Sequence, residues 1–108
     1  MVSYSDSEIP QLLGFIAEEL SKSAPYDWTS FIVEVEVFYE ASNKAISTVN
    51  FYTTMSNQAP QRFVPNNVIG TMNAFLKIHA LMSDSGGVWR KATFSFDNKG
   101  SVDINADA

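Results

Sequence analysis

Alternation of apolar and acidic residues along one segment constrains the fold of this chain more than any other feature. In residues 29–40, Val33, Val35, Val37 and Tyr39 fall on one side of an extended strand, because successive side chains point to opposite faces. The other side carries a mixed set, namely Ile32, Glu34, Glu36, Phe38 and Glu40. One face of this strand is therefore predicted to lie against a core, while the other faces solvent.

Two segments show the spacing of amphipathic helices. Residues 6–23 repeat apolar side chains at helical intervals and so predict one buried stripe. Residues 65–83 show a broader apolar face, and they open with Pro65, which a first helical position accepts. The sequence thus predicts a helix before the alternating strand and a second helix well after it.

Three further strands are expected from β-branched and aromatic residues. The first covers residues 45–54, with Val49 and Phe51 facing inward or, in the reverse register, outward. The other two cover residues 88–97 and 101–105, and the turn between them has a glycine placed for a left-handed conformation.

The predicted order is therefore α-β-β-α-β-β, with a polar loop at residues 55–64. Strands that follow one another in pairs favour antiparallel pairing, and the helices are expected to pack on the sheet. A chain of 108 residues suits a single hydrophobic core. We expect one α+β domain over residues 1–108, in two layers, with an antiparallel sheet of about four strands and two helices.

Composition excludes several functions. The chain has no cysteine, which excludes thiolate catalysis and thiolate-bound zinc. Its net charge of −5 argues against binding a phosphate backbone directly. No apolar run is long enough to span a bilayer, and the first residues lack the pattern of a secretory signal. A cytoplasmic protein without membrane contact, nucleic-acid binding or cofactor is expected.

The residues that could carry catalysis are few. His79 is more typical of a half-buried helix residue than of a catalytic base, and pairing it with Asp84 as metal ligands is weaker still. Glu34 and Glu36 lie about 6–7 Å apart along a strand, a separation that a paired-carboxylate site could use. A solvated strand face requires the same pattern, and we favour that interpretation. No catalytic residue is predicted.

A protein-binding surface is the better-supported hypothesis. Glu34, Glu36 and Glu40 project from one side of a strand beside Phe38. Acidic side chains steer the encounter with a basic partner, and aromatic side chains hold the complex. Trp89, which either packs on the sheet edge or anchors an interface, and Asp97 complete the candidate partner-binding residues.

Several stretches resemble one family. They are Asp27-Trp28 at the start of a strand rich in Val and Glu, the return segment V-N-F-Y-T at residues 49–53, and W-x-K-A-T-F-S-F-D-x-x-G-S-V-D-I at residues 89–104. In these the chain resembles the YezG-like immunity proteins, small cytosolic antitoxins of polymorphic-toxin and contact-dependent inhibition systems. The resemblance covers most of the chain in order and spacing, and residues 89–104 are its sharpest part.

The resemblance implies a protein that binds and neutralises a cognate toxin domain, often a nuclease. Alone, we expect the chain to be a monomer or weak dimer. A nuclease is basic where it meets phosphate, so an acidic inhibitor can mimic that charge. Two alternatives remain open at this point. One is a small ligand-binding or enzymatic domain whose pocket is lined by Tyr39, Phe51, Tyr52 and Trp89; the other is a secretion chaperone or adaptor, which would be an obligate dimer.

Overall fold

The alternating segment forms the central strand of a five-stranded sheet. The computed structural model describes residues 5–24, 27–39, 45–84 and 89–107. Along the chain these residues form α1 (Ser5–Ser23), β1 (Trp28–Tyr39), β2 (Ala45–Met55), β3 (Gln61–Arg62), α2 (Val68–Asp84), β4 (Lys91–Asp97) and β5 (Val102–Asp107). The strand order is β3-β2-β1-β4-β5, and every neighbouring pair is antiparallel. The predicted α+β class with two helices is confirmed.

The sheet has one strand more than predicted. Within the expected loop at residues 55–64, Gln61 and Arg62 form β3 and pair with Thr53 and Tyr52 of β2. Two residues give too short an alternation to be read from a sequence, so only the neighbouring edge of β2 reveals this strand. The predicted strand at 88–97 is also shorter, because β4 begins at Lys91 and residue 88 lies outside the described part of the chain.

The second helix begins at Val68, three residues later than predicted. Its cap is Asn67, whose Oδ1 accepts a hydrogen bond from the backbone N–H of Gly70 at 3.0 Å. Asparagine at this position satisfies an amide that the helix itself leaves unpaired. Pro65 precedes the cap and is fully buried, so its role is packing rather than helix initiation.

The predicted inward face of β1 is confirmed for most of its length. Val33, Val35 and Val37 are exposed by no more than 2%, and Phe31 joins them. Tyr39 is the exception, with 59% of its surface exposed. It is the last residue of β1 and pairs with Ala45 of β2, beyond the stretch of β1 that β4 covers in register.

Both helices pack their apolar residues into the core on this inward side. Ile16 and Leu20 of α1, and Phe75 and Ile78 of α2, are fully buried in one cluster with the inward strand residues. On β2, Phe51 is buried and Val49 half-buried, so the first of the two predicted registers is correct. Neither helix, in the residues described, has the length and apolar character needed to cross a membrane.

Polar contacts fix the end of α1 against the start of α2. The backbone N–H of Asn66 donates to Ser23 Oγ at 2.7 Å. A hydrogen bond from the Asn67 side chain, aided by Lys22, lowers the pKa of Glu19. Asn67 therefore caps α2 and also interacts with Glu19 of α1.

Candidate partner-binding face

The sheet has a second side, which points away from both helices. Because β-strand side chains alternate, residues adjacent in the register share this side. We call it the open face; its members with described side chains include Glu34, Glu36, Phe38, Thr48, Asn50, Tyr52, Arg62, Lys91, Thr93, Ser95, Asp103 and Asn105. The structure thus brings together three predicted partner-binding residues, Glu34, Glu36 and Phe38.

The two glutamates lie in the middle of this face. Glu34 is flanked by Asn50 of β2 and Thr93 of β4, and Glu36 by Thr48 and Lys91. Together with Asn105, the side chains around them line a shallow hollow of about 280 Å³ across the central strands. Its polar lining, open to solvent, can exchange hydrogen bonds and ion pairs with a partner's protruding side chain.

The charge of the open face is mixed. Lys91 lies directly opposite Glu36, and Arg62 donates a hydrogen bond to Asn50 Oδ1 at 2.8 Å. Asp103 adds a further carboxylate on β5. In the sequence, Lys91 alternates with Ala92 and Phe94, which places it on the side opposite to Phe94. Its position beside Glu36 follows only from the register between β1 and β4.

Phe38 supplies the apolar part of the face. It is 41% exposed and follows Glu36 on the same side of β1. Glu40, the third carboxylate predicted for this surface, lies outside the described residues. The predicted acidic and aromatic pattern is therefore present in its first three members.

Trp89 does not belong to the open face, which corrects its inclusion among the partner-binding residues. Simple alternation would place it beside Lys91, but a bend at Arg90 precedes β4 and interrupts that alternation. Its ring is 2% exposed and forms an edge contact with His79, with ring centroids 4.7 Å apart. Its Nε1–H donates to Met82 Sδ at 3.3 Å. A buried indole has no free area for a partner.

Asp97 is engaged in the turn between β4 and β5. Its Oδ1 accepts hydrogen bonds from the backbone N–H groups of Lys99 at 2.9 Å and Ser101 at 2.8 Å. These bonds stabilise the charged carboxylate and so lower the pKa of Asp97. Gly100 adopts a positive φ of 91°, as the turn prediction required. Asp97 therefore shapes the hairpin.

His79 is also used within the fold. It is buried, and its Nε2 lies 2.8 Å from the carbonyl oxygen of Trp89. A carbonyl only accepts, so Nε2 carries the proton and donates it. The interpretation of His79 as a structural helix residue is supported by these contacts.

The pocket suggested by four aromatic residues is not formed. Phe51 and Trp89 are buried on the helix side, whereas Tyr52 lies on the open face and Tyr39 at the exposed end of β1. In the part of the chain that the structure describes, no three His, Asp or Glu side chains cluster closely enough to hold a metal ion.

Fold and site together define a class of architecture: a two-layer α+β domain with an antiparallel sheet whose polar face is uncovered by the helices. Comparison with protein-family models and with curated proteins finds no match for this chain.

Proposed function

We propose that this chain is an immunity protein, which binds and neutralises a cognate toxin domain through its open face. The observation that carries the proposal is the position of Glu34 and Glu36 beside the exposed ring of Phe38, on a sheet face that the helices leave free. Charged groups on such a face accelerate association, and an aromatic group that becomes buried strengthens the complex.

The proposed partner is a basic protein domain, and a nuclease fits best. A nuclease carries Lys and Arg where it contacts phosphate, and a chain of net charge −5 attracts that surface. The hollow around the two glutamates suits a guanidinium or ammonium group that reaches toward Glu34, since Lys91 already lies opposite Glu36. In this proposal the protein acts in the cytoplasm and needs no catalytic group, cofactor or nucleic-acid contact of its own.

A matched pair of charge reversals tests the location of the interface. Glu34→Lys changes the open face, and Glu18→Lys changes an exposed residue of α1 by the same charge. The partner to use is the protein encoded directly upstream, measured by association kinetics at several salt concentrations. We expect Glu34→Lys to slow association by about tenfold at low salt and Glu18→Lys to change it little.

Equal effects of the two reversals would mean that only net charge matters, and the open face would then lose its role. The function itself is tested separately by expressing the upstream protein in cells with and without this chain. Protection of the cells is expected. If this chain neither binds nor protects against the upstream protein, the immunity assignment fails.

The hollow favours a second candidate function, which is binding of a small polar ligand. At about 280 Å³ it lies near the lower end of ligand sites, which are usually concave and mainly apolar. Its polar, open lining makes this candidate the weaker one. Thermal unfolding with a panel of metabolites distinguishes the two, because a ligand that binds only the folded state raises the unfolding temperature.

A further inference from the structure

The outer edge of β5 presents backbone groups with which no other described strand pairs. β5 is the last strand of the sheet and pairs only with β4 in the residues that the structure describes. The backbone N–H of Asp97 donates to the carbonyl oxygen of Ser101 at 3.1 Å, so these two residues form a hydrogen-bonded pair. Because such pairs alternate along an antiparallel ladder, Asp103 and Asn105 also direct their backbone groups toward β4.

The intervening residues of β5 therefore point their backbone N–H and C=O groups outward. These residues are Val102, Ile104 and Ala106, and their side chains lie on the helix side of the sheet, in register with the buried Phe96, Phe94 and Ala92. The helices do not fully cover them: Val102 is 38% exposed and Ala106 is also exposed. Backbone groups that point away from β4, which we call the outward ladder, and incompletely covered apolar side chains thus occur on the same strand.

We propose that the partner adds a β-strand to this edge and so extends the sheet. The added strand would alternate two kinds of side chain. Apolar residues would lie on the helix side against Val102, Ile104 and Ala106, and basic residues would lie on the open-face side near Asp103. This inference rests on the proposed function, since it describes how the same basic partner would continue from the open face onto the edge.

Charge favours a basic strand over a second copy of this chain. Asp103 is exposed on the open-face side of β5, and the chain carries a net charge of −5. A second copy would bring the same negative charge and another Asp103 to the edge, and like charges close together on paired strands are destabilising. A strand with lysine or arginine at alternate positions would instead neutralise Asp103.

The other sheet edge lacks this combination. β3 covers part of β2, and the open-face residues of the remaining part with described side chains, Thr48 and Asn50, are uncharged. Val49 on its helix side is half-buried with the core, as Ile104 is on β5, but among the described side chains of that part of β2 no exposed apolar one like Val102 accompanies it. Among the side chains that the structure describes at the two edges, an outward ladder, exposed apolar side chains and a carboxylate occur together on β5.

Proline substitutions test the edge without breaking the native sheet. Val102→Pro with Ala106→Pro removes two outward N–H groups, and proline is tolerated on an edge strand where its nitrogen faces away from the ladder. The matched control is Val102→Thr with Ala106→Thr, which keeps both N–H groups. Circular dichroism melting of both variants checks that each remains folded.

The probe is a capped heptapeptide in which lysine alternates with valine, compared with one in which glutamate alternates with valine. We expect the lysine peptide to slow hydrogen exchange at the Val102, Ile104 and Ala106 amides. The proline variant should bind it about tenfold more weakly than the threonine control. The glutamate peptide should bind measurably only after Asp103→Lys.

Three outcomes would overturn the inference. They are equal binding by the proline and threonine variants, protection confined to other strands, and protection of β5 that rises with protein concentration alone together with a doubled mass. This result is independent of the interface test above. If Glu34→Lys impairs binding of the upstream protein while the proline variant binds it normally, the open-face function stands and strand addition does not.

Discussion

Replacing Trp89 by alanine tests whether this residue belongs to the hydrophobic core or to an interface. The indole is 2% exposed, and it contacts the rings of His79 and Phe94 with centroid separations of 4.7 Å and 6.1 Å. Truncating a buried tryptophan to alanine removes its transfer free energy and leaves a cavity, at a cost of about 3–5 kcal/mol. A chain of this length has a free energy of unfolding of roughly 5–15 kcal/mol, so the loss is a large share of the total.

The assay is urea unfolding followed by far-ultraviolet circular dichroism, because fluorescence would change with the removal of the indole itself. The free energy of unfolding falls by about 1.5 kcal/mol per molar urea, so a loss of about 4 kcal/mol lowers the urea concentration at the unfolding midpoint by roughly 2–3 M. Trp89→Phe should recover part of the loss, since it refills most of the cavity but cannot donate to Met82 Sδ.

Phe38→Ala is the control, because this aromatic ring is 41% exposed on the open face. It should change the free energy of unfolding by about 1 kcal/mol or less, while weakening the proposed complex. If Trp89→Ala unfolded at nearly the same urea concentration as the unmodified chain, the burial of the indole against α2 would be refuted. The interpretation of Trp89 as an interface anchor would then return.

Other changes test single local contacts. Asn67→Ala should destabilise the domain by about 1 kcal/mol or more in urea unfolding, because it removes the α2 cap, whereas Asn67→Asp should retain much of the capping. Asp97→Asn should lower the unfolding temperature at neutral pH. Because the folded-state pKa of Asp97 is lowered, the stability that its carboxylate contributes is present above the unfolded-state pKa and is lost as the pH falls through the folded-state pKa. The difference in unfolding temperature between Asp97→Asn and the unmodified chain should therefore become smaller below about pH 4. A difference that does not depend on pH would contradict this role of Asp97. Gly100→Ala should cost about 1 kcal/mol in the same melts, because φ there is 91°; an unchanged melting temperature would show that the turn readily adopts another conformation. Sedimentation should give the mass of a monomer or weak dimer, and a tight dimer at low concentration would favour a secretion chaperone.

Sequence patterns located most of the fold, because the hydrophobic effect acts on local periodicity. The alternation around Val33 and Val35 identified the inward face of β1, and helical spacing identified both helices. The same alternation placed Glu34 and Glu36 together on the outer side. These inferences hold because a strand's two faces and a helix's buried stripe are properties of the segment itself.

The periodicity of apolar residues did not reveal where helix α2 begins or that β3 exists. The start of α2 depends on Asn67, whose side chain both caps the helix and bonds to Glu19 of α1. β3 has two residues and exists because β2 presents an edge to Arg62. β3 arises from a contact between segments, for which local propensity carries no signal, whereas the Asn67 cap is a local signal that apolar periodicity does not register.

The candidate site likewise combines features that the sequence determines with features that only tertiary packing determines. By itself the sequence determined that the outer side of β1 is acidic with Phe38 among the charges, since side-chain alternation is intrinsic to an extended backbone. Only the tertiary structure decided that Lys91 lies beside Glu36, that Trp89 turns into the core, and that β5 ends the sheet with an outward ladder. Those facts depend on register, on the bend at Arg90 and on strand order, which are set by packing between segments distant in the chain.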